Sequence, residues 1–126
     1  VLEHALLDVI SGLEVEFEEA FSRARDVISK SPGFISLKIV RGIERPSSYL
    51  LLVEWESLED HTIGFRQSAR YAEWRELLHH FYDPFPVVEH FFEIQLKSKV
   101  GEAGAKFQTS VLMGSGRGFS KRLERE

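Results

Sequence analysis

The chain has 126 residues, of which 43% are hydrophobic, 29% charged and 12% aromatic, enough for one compact domain with its own core and too few for two. It contains no cysteine, which excludes disulfide frameworks, thiolate zinc sites, Cys nucleophiles and iron–sulfur clusters. The net charge of −4 is unevenly spread, since residues 1–96 hold 9 Lys+Arg against 17 Asp+Glu and residues 97–126 hold 7 against 3. An acidic body lays no positive footprint on phosphates, so no nucleic-acid partner is expected. No apolar run approaches the roughly 18 residues that span a bilayer, and the opening VLEHALLDVISG lacks a basic start and a small-residue cleavage site. No membrane partner and a cytoplasmic location are therefore expected.

Residues 4–10 form a short apolar stretch broken by Ser11-Gly12, which reads as a buried strand and a turn. From Leu13 the period changes. Phe17, Ala20, Phe21, Ala24, Val27 and Ile28 recur at three- and four-residue spacing among charged residues, an amphipathic helix closed by Ser31-Pro32-Gly33. Its acids fall early and its bases late, as the helix dipole favours. Residues 34–40 alternate Ile35, Leu37 and Ile39 with Ser36 and Lys38, and turn residues 44–48 separate them from a third strand over residues 49–56. In that strand Tyr49, Leu51, Val53 and Trp55 share one face and Leu50, Leu52 and Glu54 the other, so both faces need cover.

Ser57 with Asp60 three residues on makes a capping box and predicts a helix start, with Ser68 as a second start after a kink. Tyr71, Trp74, Leu77, Leu78 and Phe81 form the apolar stripe of this helix, and Asp83-Pro84-Phe85-Pro86 ends it. Residues 87–94 then place Val88, His90, Phe92 and Ile94 on one face of a fourth strand. The order βαββαβ predicts an α+β fold with a four-stranded antiparallel sheet and two helices on one face. The uncovered face carries enough Leu, Val and Phe to predict a homodimer. Residues 97–126 read as a basic, Gly-containing tail that is flexible or wraps a partner; its Gly-rich piece at 114–118 matches no nucleotide-binding fingerprint.

The run Val53-Glu54-Trp55-Glu56-Ser57 followed by Asp60-His61-Thr62-Ile63-Gly64-Phe65-Arg66-Gln67-Ser68 resembles the antibiotic biosynthesis monooxygenase (ABM) domain family. Tyr71-Ala72-Glu73-Trp74-Arg75, Phe85-Pro86-Val87-Val88-Glu89-His90-Phe91 and Pro32-Gly33-Phe34 extend the likeness over roughly residues 1–95. The resemblance implies a ferredoxin-like domain paired sheet to sheet as a dimeric α+β barrel. It also implies a cofactor-independent oxidation of an electron-rich phenol, anthrone- or hydroquinone-like, by O2. The superfamily includes haem-degrading enzymes, isomerases and ligand-sensing modules as well, and these stay open as alternatives.

Such an oxidation needs a flat aromatic pocket, a group that takes the substrate proton, and exclusion of water. Tyr49, Trp55, Phe65, Tyr71, Trp74 and Phe92 are available as pocket walls and substrate contacts, and Arg66 could stabilise a phenolate. His90 is the sharpest candidate base: its strand neighbours Val88, Phe92 and Ile94 put an imidazole on an apolar face, where burial keeps it neutral. The structural alternative is a core histidine bonded to a backbone carbonyl. His61 resembles the family-motif histidine near that position and is the second catalytic candidate. No metal-ligand motif is present, and no metal is expected. No cofactor is expected either. One histidine suffices for haem, but strand one offers Asp8 where haem-degrading relatives have an asparagine.

Overall fold

A computed structural model describes residues 1–97. Its elements are β1 (Leu2–Asp8), α1 (Glu14–Ile28), β2 (Phe34–Arg41), β3 (Ser48–Trp55), α2 (Ala69–Leu78) and β4 (Val88–Phe91), with a π-helical turn (Asp60–Phe65) before α2 and a 3-10 turn (His79–Phe81) after it. The strands form one antiparallel sheet in the order β2-β3-β1-β4, the ferredoxin-like arrangement expected. The basic tail expected over residues 97–126 lies, apart from Lys97, outside the described residues. No helix among the described residues is long and apolar enough to cross a membrane.

The inward residues of β1 and β3 and the stripes of both helices make one core, with Phe17, Ile28, Val53, Trp55, Phe65 and Leu78 wholly enclosed. At ten residues α2 is too short to hold its shape in water, so its stability comes from burying Trp74 and Leu78 against that core. Ser68 caps it, its Oγ accepting from the Tyr71 amide at 3.4 Å, as the kinked reading of this region anticipated.

Three boundaries differ from the sequence reading. β1 begins at Leu2 and ends at Asp8 instead of spanning 4–10, because Val9 leaves the ladder to bond the Ser47 carbonyl and bridge to Tyr82. The capping Ser57 does accept from the Asp60 amide at 3.1 Å, but the segment it starts is a π turn closed by the Arg66 amide on the His61 carbonyl at 3.1 Å. β4 spans four residues instead of eight, since its ladder with β1 ends at the Leu2–Phe91 pair.

Register decides which side chains meet. Glu3 pairs with Val53 on one side and His90 on the other, so all three point toward the helices. The opposite face carries Leu2, Leu6, Val40, Leu50, Leu52 and Phe91, and Leu6, Val40 and Phe91 are exposed.

Candidate active site

β1, β3, β4 and the π turn converge on a chain of three titratable groups, of which Glu3 and His61 are buried and His90 half-buried. The π turn presents His61, 3% exposed, with its ring over the Trp55 indole at a 5.3 Å centroid separation and 20° between planes. His61 Nδ1 lies 2.8 Å from His90 Nε2, a hydrogen bond between two imidazoles. The other His61 nitrogen, Nε2, stands 3.4 Å from the Glu3 carboxylate, which is 5% exposed. Trp55 Nε1 donates to the same carboxylate oxygen at 2.9 Å.

Burial sets the proton affinities. It raises the Glu3 carboxyl from 4.5 to about 7, against the lowering effect of the Trp55 bond and the Arg66 charge. It lowers His61 to about 3, with Arg66 and His90 pushing the same way, and it lowers His90, again with Arg66 adding to the effect. The Glu3–His61 contact is therefore no ion pair at neutral pH, because the imidazole carries no charge there. Both rings are neutral, and a neutral ring can accept a proton.

Phe65 packs on Trp55, His61, Tyr71 and Trp74, with centroid separations of 5.5 to 6.2 Å, and seals the inner side. Tyr71 is half-buried beside it, and Trp74 stacks edge-on to Phe21 at 5.6 Å. Arg66 is exposed just past the π turn and, among the described residues, makes no ion pair, so its charge acts on the Glu3–His61–His90 chain. The sequence reading thus placed His61, His90, Trp55, Phe65, Arg66, Tyr71 and Trp74 in one neighbourhood, and the structure brings them together.

Two candidates lie elsewhere. Tyr49 is at the far end of β3, six residues from Trp55 or about 20 Å along the strand. Its hydroxyl donates to Glu18 at 2.6 Å, and burial raises its proton affinity further above the ordinary phenol range. Phe92 falls one residue past β4 and is 81% exposed, so it forms no wall beside His90; the early end of the ladder is the reason. Glu3 is the group the sequence reading missed. Starting the first strand at residue 4 left it outside, although Glu3, Ala5 and Leu7 share one face and an acid in that register is the available signal.

The cavity beside this chain holds about 40 Å³, with Phe85 and Pro86 among its lining residues. That is well below the roughly 150 Å³ of a cavity that takes benzene, so no room for an aromatic ring is open on the inner side of His61. Phe85 is 60% exposed and rests edge-on against His79 at 4.8 Å. A roomier cavity of about 480 Å³ opens between α1 and β2, lined by Phe17, Phe21, Ile39 and Tyr49. Its lining also includes Glu18 and Arg41, and no histidine. Among the described residues no group of three His, Asp or Glu is arranged to hold a metal ion.

The family model of antibiotic biosynthesis monooxygenases matches residues 1–77. The uncharacterized protein YczJ of Bacillus subtilis is 53% identical over 94 residues, covering 75% of this chain and 99% of YczJ. A solved structure from Bordetella bronchiseptica, classed with the antibiotic biosynthesis monooxygenases, superposes with a TM-score of 0.71 at 34% identity and covers 75% of this chain and 96% of its own. SnoaB of Streptomyces nogalater, a cofactor-independent oxygenase, shares the fold at a TM-score of 0.58 and 16% identity, covering 79% of this chain and 97% of SnoaB. The chain belongs to the antibiotic biosynthesis monooxygenase family.

Proposed function

We propose that this protein is a homodimeric monooxygenase that oxidises a small phenolic or anthrone-like substrate with O2 and without metal, flavin or haem. The observation that carries this reading is the 2.8 Å bond between two neutral imidazoles in an aromatic, largely enclosed setting. His90 is half-buried on the edge strand, and its Nδ1 makes no hydrogen bond among the described residues, so it is the ring nitrogen open to a substrate hydroxyl. Because the inner cavity is small and His90 is not among its lining residues, the substrate ring binds at the sheet edge over His90. SnoaB, with the same fold, offers the analogy of oxygenation without a cofactor.

The proposed chemistry balances with O2 alone. His90 removes a proton from the ring-activated C–H or O–H, and the carbanion gives an electron to O2. The resulting radicals combine into a C–O bond, and the peroxide loses water as the ring carbon becomes a carbonyl. The proton held by the enzyme returns to the departing hydroxide. Arg66 beside the pair favours the anionic substrate.

Oxygen uptake by metal-stripped protein over a panel of anthrones, hydroquinones and catechols tests this. Uptake is expected with at least one class and is expected to fall ~10²-fold or more in His90→Ala. Full uptake in His90→Ala would remove that residue from the mechanism. A metabolite that co-purifies and is returned unchanged would favour a binding module.

A further inference from the structure

Glu3, His61 and His90 come from β1, the π turn and β4; Glu3 and His90 are cross-strand neighbours, and His61 contacts both. The inner His61 nitrogen faces the carboxylate at 3.4 Å and the outer one bonds His90 at 2.8 Å. A buried carboxylate in a register otherwise occupied by Ala5 and Leu7 is costly unless it has a task. We propose that Glu3 is the inner terminus of a proton relay, in which a proton taken up at His90 Nδ1 is passed through His61 and comes to rest on the carboxylate. This rests on the proposed oxygenase reading for its use, though not for its existence.

The steps conserve protons and charge. With Glu3 ionised, both rings carry their proton on Nε2: His90 donates to His61 Nδ1, and His61 points its N–H at Glu3. A proton arriving on His90 Nδ1 displaces the one on His90 Nε2 to His61 Nδ1, and the His61 Nε2 proton moves to Glu3 Oε1. Both rings end as neutral Nδ1–H tautomers, and Glu3 ends as a carboxylic acid that donates back to His61. One negative charge has moved from carboxylate to substrate, and no imidazolium persists in the core. The 3.4 Å gap needs to close by a few tenths of an ångström, as catalytic hydrogen bonds commonly do when a substrate arrives.

The proton affinities run in the direction such a relay needs, since burial makes His61 a poor resting place and the carboxyl a good one near neutrality. Other polar groups face this chain. Trp55 from β3 donates to Glu3, and Arg66 beyond the π turn lowers the proton affinity of all three members. Tyr71 and His79 from α2 and its end, with Tyr82 beyond, line the same cavity. Burial lowers His79 as it does His90 and raises Tyr82, so both are neutral at pH 7. Glu3 is a positioning residue in this scheme, acting on substrate only through the two rings.

Histidine ring 15N NMR and carboxyl infrared spectroscopy over pH 5 to 9 test the relay without any substrate. The expected result is a tautomer crossover of both rings at one pH near 7, coinciding with loss of a protonated-carboxyl band, and absent from Glu3→Gln. Rings that titrate separately, or a crossover that persists in Glu3→Gln, would overturn the proposal. Should Glu3→Gln fail to fold, the coincidence of the two wild-type transitions decides alone, with Glu3→Asp expected to keep the crossover at a shifted pH. Where uptake is measurable, Glu3→Gln is expected to lower kcat ~10-fold or more at unchanged KM and to erase the rise in kcat through pH 7. A crossover without uptake on any substrate leaves the relay standing and removes the oxygenase reading; uptake without a crossover does the reverse.

Discussion

Glu3 and His61 pull the stability of the fold in opposite directions with pH. The folded state binds the Glu3 proton more tightly than the unfolded chain, so this group favours folding fully below pH 4.5 and loses that advantage as pH rises to about 7. His61 is held neutral, so its contribution is present above pH 6.5 and is lost as pH falls toward about 3. Between pH 4.5 and 6.5 the two slopes oppose each other. Glu3→Gln removes one of them: its stability relative to wild type is expected to rise by about 3 kcal/mol between pH 4.5 and 8, measured by urea denaturation. A constant difference would mean that Glu3 titrates as an ordinary carboxylate. Trp55 supplies the one side-chain hydrogen bond that Glu3 receives among the described residues. Trp55→Phe should therefore cost about 1–3 kcal/mol and move the Glu3 carboxyl band to a higher midpoint pH.

The π turn is the element that makes the site. A regular α-helix from Ser57 onward would place His61 on a different azimuth, whereas the wide turn closed by Arg66 on His61 sets both His61 and Phe65 against the sheet. Gly33 holds this turn from the other side. Its φ of +84° is in the left-handed region, and a Cβ there would collide with the Asp60 side chain at the first position of the turn. The Gly33 carbonyl also accepts from the Glu56 amide at 2.8 Å, tying the start of β2 to the end of β3. Gly33→Ala is expected to cost at least about 1–2 kcal/mol from backbone conformation alone and to displace His61. A stability loss with weakened coupling between the His61 and His90 ring signals would bear this out, and an unchanged pair would show that the turn is held without Gly33.

At the scale of the whole molecule, the sheet is half-finished as a soluble object. One face is closed by α1 and α2, while the other presents Leu6, Val40 and Phe91 exposed around half-buried Leu2, Leu50 and Leu52. A second copy laid sheet to sheet would cover these residues without touching the histidine pair, which lies on the helix side. Leu50→Glu places a carboxylate opposite Leu6 in the middle of that face. Sedimentation velocity is expected to show a dimer for the wild type and a folded monomer for Leu50→Glu. A variant that still sediments as the wild type would put the interface elsewhere.

Element type and order were legible in the sequence because each rests on local patterning: period 3.6 in α1, period 2 in β2 and β3, a capping serine before α2, and prolines after it. The apolar register that pointed His90 inward was equally visible, since alternation along a strand is set by the pleat. The family likeness in residues 53–68 added His61. What the sequence left undetermined depends on distant partners. The ends of β1 and β4 follow from where their ladder stops, which moved Glu3 into the site and Phe92 out of it. The π turn packs against Gly33, which lies far back in the sequence. The Glu3–His61–His90 alignment joins residues up to 87 positions apart and exists only once β4 has docked against β1. Local periodicity determined the fold, and the proton affinities of Glu3, His61 and His90 were decided by long-range packing, because their shifts come chiefly from burial and burial is a property of the folded molecule.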